Sequence, residues 1–252
     1  MKLTILVEND CTERTLCSEH GLSLYLEYNN RCYLLDAGQS EKFFLNARHL
    51  NCNLSTIDAA ILSHGHYDHA NGFSTLLDEN RSVKVYARTT VFQDQYADGT
   101  RYIGLSPILR ECYTDRFDRS DETRMIAPGL WLVPDAVDHE QSLVAETEQG
   151  LVVMNSCCHA GGDVIVEDIL ERFPGQKVCA LVGGLHLMSS GGVSTLGVTP
   201  DEVRRLTLRL VQELGVERIY TGHCTGSPAF ALMQETAPDH VFPIHTGSTI
   251  CF

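Results

Sequence analysis

The chain has 252 residues, 43% of them hydrophobic and 21% charged, enough for one large globular domain or two fused halves with a sizeable core. Its 33 acidic against 19 basic residues leave a formal charge of −14, which argues against a nucleic-acid partner because phosphate binding needs a basic face. Ten cysteines with no CXXC pair favour reduced thiols in a cytoplasmic protein over a disulfide framework. MKLTILVEND is too short an apolar start for a signal peptide, and no run approaches membrane-spanning length.

Runs at 3–9, 22–28 and 32–38 are predicted as strands, the last two joined by a tight Asn29-Asn30 turn, with a polar loop between 10 and 20. Ser40 is placed as the N-cap of a helix reaching Leu50, with Phe43, Phe44, Ala47 and Leu50 on one stripe. Strands follow at 59–63 and 83–87. From Gln93 to Pro128 the periodicity dissolves into Gly, Pro and the charge run DRFDRSDETR. An irregular insertion is expected there, either a solvated excursion or a lid, with Arg101, Tyr102 and Arg110 as candidate anion contacts. The chain resumes with strands at 130–136, 142–148 and 150–156, a helix at 163–173 stopped by Pro174-Gly175, and a strand at 177–184. Thr199-Pro200-Asp201-Glu202 reads as a capping box opening a helix with Val203, Leu206, Leu210, Val211 and Leu214 inward, closed by Gly215. A last strand is placed at 217–224. Two halves, about 1–92 and 129–252, thus each mix strands with helices. The expected class is α/β: one domain over 1–252, a four-layer αββα sandwich of two mixed sheets with outer helices.

The chemistry concentrates in ILSHGHYDHANGF at 61–73, where His64, His66, Asp68 and His69 occupy six positions after an apolar run. Alternation in an extended segment puts His64, His66 and Asp68 on one side, and His69 comes round as the chain bends toward Asn71-Gly72. So many polar groups are costly to pack without a partner. Imidazole and carboxylate together suit a borderline divalent cation such as zinc. His159, His186 and His223 each follow an apolar strand at a glycine-flanked turn, the place where a strand delivers a ligand. Asp36, ending CYLLDAG, is expected to support a metal-bound imidazole by accepting its other N–H. His20 lies either at the pocket mouth or on a surface loop, and Asp138 is a candidate ligand or supporting carboxylate. His49, His139, His240 and His245 read as ordinary polar residues. Cys157, Cys158 and Cys224 adjoin candidate ligands and have the chemistry to bind metal, but read first as small buried residues. Neither a GXSXG elbow nor a GXXXXGK phosphate loop is present.

The pattern His-X-His-X-Asp-His resembles the signature of the metallo-β-lactamase-fold hydrolases. Glu19-His20-Gly21-Leu22-Ser23, LLDAGQSEKFFLNARHL, CHAGG at 158–162, GGLHL at 183–187 and TGHCTG at 221–226 resemble one branch, named after an archaeal dihydropterin–ribofuranosylaminobenzene phosphate synthase. The resemblance covers essentially the whole chain. It implies that His64 and His66 bind a first metal, and Asp68 and His69 a second; the strand-end positions of His159 and His223 make them the expected further ligands. Most of that superfamily has an aspartate bridging the two metals after a strand in the second half, and no strand here ends in one. His186 is therefore either a ligand or a substrate-facing acid or anion contact, and the site holds either one metal or two.

The expected function is a metal-dependent hydrolase in which a metal-bound hydroxide, positioned by Asp68, attacks a small phosphoester, phosphodiester or lactone. His186 or His20 protonates the leaving group or holds a phosphate. Two divalent ions are the expected cofactors, zinc first, with iron or manganese as alternatives. The partner is a small-molecule, anionic substrate, with no nucleic acid and no membrane; the oligomeric state stays open. The alternative enzyme is the condensing synthase of the branch name. A flavin-coupled diiron reductase is weaker, because the chain has no length left for a flavin module. The non-enzyme alternative is a metal-stabilised ligand sensor.

Overall fold

A computed structural model describes residues 1–252. It divides into two compact units, residues 1–122 with 245–252, and residues 123–244. Each unit has its own seven-stranded mixed sheet, its own helices and its own apolar core, which makes the chain α/β as expected. No helix is long and apolar enough to cross a membrane.

The first unit contains strands β1 (Lys2–Val7), β2 (Ser23–Tyr28), β3 (Arg31–Leu35), β4 (Ala59–Ile61), β5 (Val85–Ala87), β6 (Tyr96–Ala97), β7 (Arg101–Tyr102) and β8 (Phe117–Arg119). Its helices are α1 (Lys42–His49), α2 (Tyr67–Ala70), α3 (Phe73–Glu79) and α4 (Pro107–Cys112). The sheet order is the C-terminal strand Thr249–Cys251, then β1, β2, β3, β4, β5 and β8. Antiparallel pairing runs as far as β3; β3, β4, β5 and β8 are parallel, so their C-terminal ends share one edge. The predicted Asn29-Asn30 turn forms with φ of 50° and 59°, the left-handed pair a two-residue hairpin needs.

Two expectations need correcting in this unit. Ser40 is displaced from the cap position of α1, which Glu41 occupies without a side-chain bond; the Ser40 hydroxyl nevertheless accepts from the Lys42 N–H at 3.3 Å while donating to the buried Glu19 carboxylate. Residues 93–122 are not an irregular excursion. They form the β6–β7 hairpin, α4 and β8, and Leu105 and Leu109 are fully buried in the unit's core. The pattern is hard to read because the strands are two or three residues long, too short for a period to show.

The second unit contains β9 (Arg124–Ala127), β10 (Leu130–Pro134), β11 (Gln141–Thr147), β12 (Gly150–Met154), β13 (Val178–Gly183), β14 (Ile219–Thr221) and β15 (Val241–Pro243). Helices α5 (Gly162–Arg172), α6 (Pro200–Leu208) and α7 (Ser227–Thr236) connect the parallel strands β12, β13, β14 and β15. β9 to β12 pair antiparallel in sequence order. Because these strands are parallel, the loops after β12, β13 and β14 lie together at one sheet edge. Those loops carry His159, His186 and His223.

Candidate metal centre

In the first unit the side chains are set by Asp36. It follows β3 with φ of 59°, is fully buried, and turns its carboxylate across the sheet edge to the end of the neighbouring parallel strand β4. One oxygen accepts from the Ser63 N–H at 2.7 Å; the other accepts from the Ser63 hydroxyl and from His69 Nδ1, both at 2.7 Å. With its proton given to Asp36, the Ser63 hydroxyl accepts from His64 Nδ1 at 2.8 Å. Both imidazoles are thereby fixed in the tautomer that leaves a lone pair on Nε2, the arrangement metal-bound histidines use. His64 Nε2 lies 3.0 Å from His66 Nδ1, close to the spacing of about 3.3 Å that two imidazoles adopt on one tetrahedral zinc. His69 Nε2 lies 3.7 Å from an Asp68 carboxylate oxygen. The donor set thus fits divalent ions.

The backbone reaches this arrangement differently from the expected alternation. His66 is extended and His64 stands in a bend, but Tyr67–Ala70 is one turn of helix, and it is the turn that brings Asp68 and His69 round. His20 meets the same Asp68 oxygen at 3.2 Å with its ring about one-third exposed, so it opens to solvent. Leu22 N–H donates to the Asp68 carbonyl, which ties the EHG loop to the ligand helix. The 93–122 stretch supports the motif too: the Ile103 carbonyl accepts from Tyr67 N–H, and Asn71 Oδ1 accepts from Ser106 N–H. Arg110 is engaged there by Asp94 at 2.6 Å and lies over the Tyr102 ring, so the anion-contact role expected of it is not what its geometry serves.

In the second unit His159, His186 and His223 stand at the ends of β12, β13 and β14 as expected. His159 and His186 rings are 4.3 Å apart. His186 and His223 take positive φ of 51° and 49°, and so does Cys158 at 51°, a strained conformation for such side chains that their surroundings must enforce. Close packing of the strand ends is part of that enforcement. A Cβ on Gly183 would meet the Asn155 carbonyl at 1.8 Å, and one on Gly184 would meet Cys224 Sγ at 2.4 Å. Glu140, fully buried, accepts from the N–H groups of Cys157 and His159 at 2.7 and 3.1 Å.

Two residues passed over in the sequence join this group. The His139 ring lies 4.8 Å from that of His159, with Asp138 bonded to its Nδ1. Asp138 is therefore a supporting carboxylate for an imidazole rather than a lone candidate. Cys157 Sγ lies within 4.8 Å of donor atoms on His159 and His186, and likewise of His223 and Cys224. His139 precedes its strand instead of following one, so a search of strand C-termini misses it. Cys157 looks like any small buried residue. Burial opposes charge on Cys224, but hydrogen bonds from Cys157 and His186 and the nearby imidazoles outweigh it and hold that thiol well below its ordinary range. The Cys224 sulfur correspondingly raises His186 against the effect of burial.

The description Metallo-beta-lactamase superfamily matches residues 19–173, which is more than half of the chain. The chain belongs to the metallo-beta-lactamase superfamily. Members bind metal ions, in keeping with the donor sets above. The chain is 26% identical over 275 residues to a Methanocaldococcus jannaschii protein named 7,8-dihydropterin-6-methyl-4-(beta-D-ribofuranosyl)-aminobenzene-5'-phosphate synthase, covering 93% of this chain and 90% of that one. A solved structure described as Tm1679, a metal-dependent hydrolase of the beta-lactamase superfamily, superposes with a TM-score of 0.83 at 27% identity over 100% of this chain and 99% of its own. A diphosphatase of the PhnP family superposes at 0.61 with 14% identity over 100% and 97%, a likeness of fold.

Proposed function

We propose that this metallo-beta-lactamase superfamily member is a dinuclear, zinc-dependent hydrolase of a small ester, either phosphorylated or a lactone. The observation that carries this reading is the cluster of His64, His66, Asp68 and His69, in which Asp36 and Ser63 hold His64 and His69 in the tautomer of metal ligands. His64 and His66 are assigned to a first ion and Asp68 and His69 to a second; His159 and His223 are also assigned as metal ligands. Bound divalent ions supply Lewis acidity, polarising an ester oxygen and making water acidic at neutral pH. The residues do the rest. Asp68 orients the attacking water, and its hydrogen bond to His20 gives a path by which that water's proton leaves. His186, exposed at the end of β13, protonates the leaving oxygen or holds a substrate phosphate, and His20 is its alternate in that role.

Protein purified without chelator is expected to carry two divalent ions per chain and to hydrolyse members of a panel of phosphodiesters and lactones. His66→Ala should lose bound metal and turnover together. Full turnover by that variant with no metal bound rejects the reading.

The Methanocaldococcus relative supports a second reading, a synthase joining a dihydropterin to an aminobenzene ribofuranosyl 5'-phosphate through the same residues. Product formation from that pair, with no hydrolysis of the panel, would select it.

A further inference from the structure

The loop after β12 is built around a sequence of three side chains that go to different places. Cys158 takes φ of +51°, and its side chain joins the apolar core of the second unit. That left-handed residue lets its neighbours, Cys157 and His159, turn the other way. Their backbone N–H groups are both held by the single buried Glu140 carboxylate, and Asn155, itself bonded to Ser142, accepts from Cys158 N–H at 2.7 Å. Such double anchoring restrains the backbone from which the two side chains project, the support a ligand-bearing loop needs.

The Cys157 sulfur is common to two groups of donor atoms in this unit, one with His159 and His186 and one with His223 and Cys224. It is almost fully buried, and Cys224 Sγ lies 3.3 Å away. A cysteine that served only as a small core residue would point, as Cys158 does, into apolar side chains. Cys157 is instead surrounded by imidazoles and a second sulfur. Thiolate is the softest ligand a chain offers and a strong one for zinc.

We infer that Cys157 is a metal ligand, supplying a thiolate to the centre that the histidines around it serve. The inference rests on the metal-centre reading above. On binding, the S–H bond is replaced by a sulfur–metal bond and the proton passes to solvent, so loading releases one proton per chain from this group. The Cys224 sulfur accepts the His186 backbone N–H and contacts the Cys157 sulfur and carbonyl, and so positions both residues.

Spectroscopy of the loaded protein tests this without reference to activity. Metal-free protein loaded with cobalt(II) should show a near-ultraviolet sulfur-to-cobalt charge-transfer band. The band should vanish in Cys157→Ser and in Cys157→Asp, and remain in Cys158→Ser and Cys224→Ser. Cys157→Asp, which keeps an anionic ligand of similar reach, should retain metal within about twofold of wild type by mass spectrometry. Zinc-edge X-ray absorption of the unmutated protein should show a sulfur neighbour at about 2.3 Å, a measurement that needs no variant to fold. A cobalt band that survives Cys157→Ser, or a zinc shell of nitrogen and oxygen alone, overturns the assignment while leaving the metal centre intact. Unmutated protein that takes up no divalent metal at all overturns both.

Discussion

Asp36 shows how much of the centre depends on one residue that touches no metal. Its two oxygens receive three hydrogen bonds, and through them it sets the tautomer of His69 directly and that of His64 through Ser63. Asn in its place offers one acceptor and an amide that cannot take the His69 proton. Asp36→Asn is therefore expected to weaken metal affinity by about 10–100-fold, the usual loss when a partner behind a ligand is removed. Competition against a chromophoric chelator measures it, and affinity within a factor of two of wild type would count against the arrangement. The residue was legible in the sequence because it ends an apolar run beside the histidine motif. Glu140 was not. It does for the Cys157–His159 loop what Asp36 does for the first unit, yet it sits at the edge of a polar stretch, PDAVDHEQ, with nothing local to mark it as buried. For the same reason Cys157 was not singled out: its neighbours His186 and His223 come from the parallel order of β12, β13 and β14, while His139 meets His159 across the antiparallel pair β11–β12.

Elements that carry their own signals were read well, and α6 is the clearest. Thr199 accepts from Glu202 N–H, and the Glu202 carboxylate accepts from both the N–H and the hydroxyl of Thr199, so the capping box forms as its four letters specify. Thr199→Ala should lower stability by about 1 kcal/mol in urea unfolding and leave metal content unchanged, because the cap lies on the connection between β13 and β14 and not at a ligand. The pH dependence has a definite sign. Accepting those two bonds depresses the Glu202 carboxyl, so the cap's contribution is present above the ordinary glutamate range and is lost as pH falls through the depressed value. The difference between wild type and Thr199→Ala should accordingly shrink in acid; a difference that grows there contradicts the cap. The far end of the same helix was less legible. It does not run as regular helix to Leu214 but widens over Arg209–Glu213, where Leu214 N–H bonds the Arg209 carbonyl five residues back before Gly215 turns the chain at φ of +70°. An apolar stripe does not distinguish a four-residue from a five-residue return, since both keep Leu210 inward.

Across the whole molecule the dominant electrical fact is the formal charge of −14, far more than the two divalent ions of the proposed centre would cancel. That excess repels an anionic substrate at long range even where the residues at the centre attract it at short range. The repulsion is screened by salt, the Debye length falling from about 30 Å at 0.01 M to about 10 Å at 0.1 M. For a phosphorylated ester, kcat/KM should therefore rise severalfold over that range, carried by the encounter rate, while kcat stays level. A neutral lactone feels no such field and should show a flat profile. Running both substrate types through the same salt series separates the two classes without knowing the physiological compound. If kcat/KM for the phosphorylated ester instead fell with salt, the approach to the centre would be locally positive despite the net charge. Lysine and arginine near the mouth would then have to outweigh the acidic surface at the distances that govern encounter.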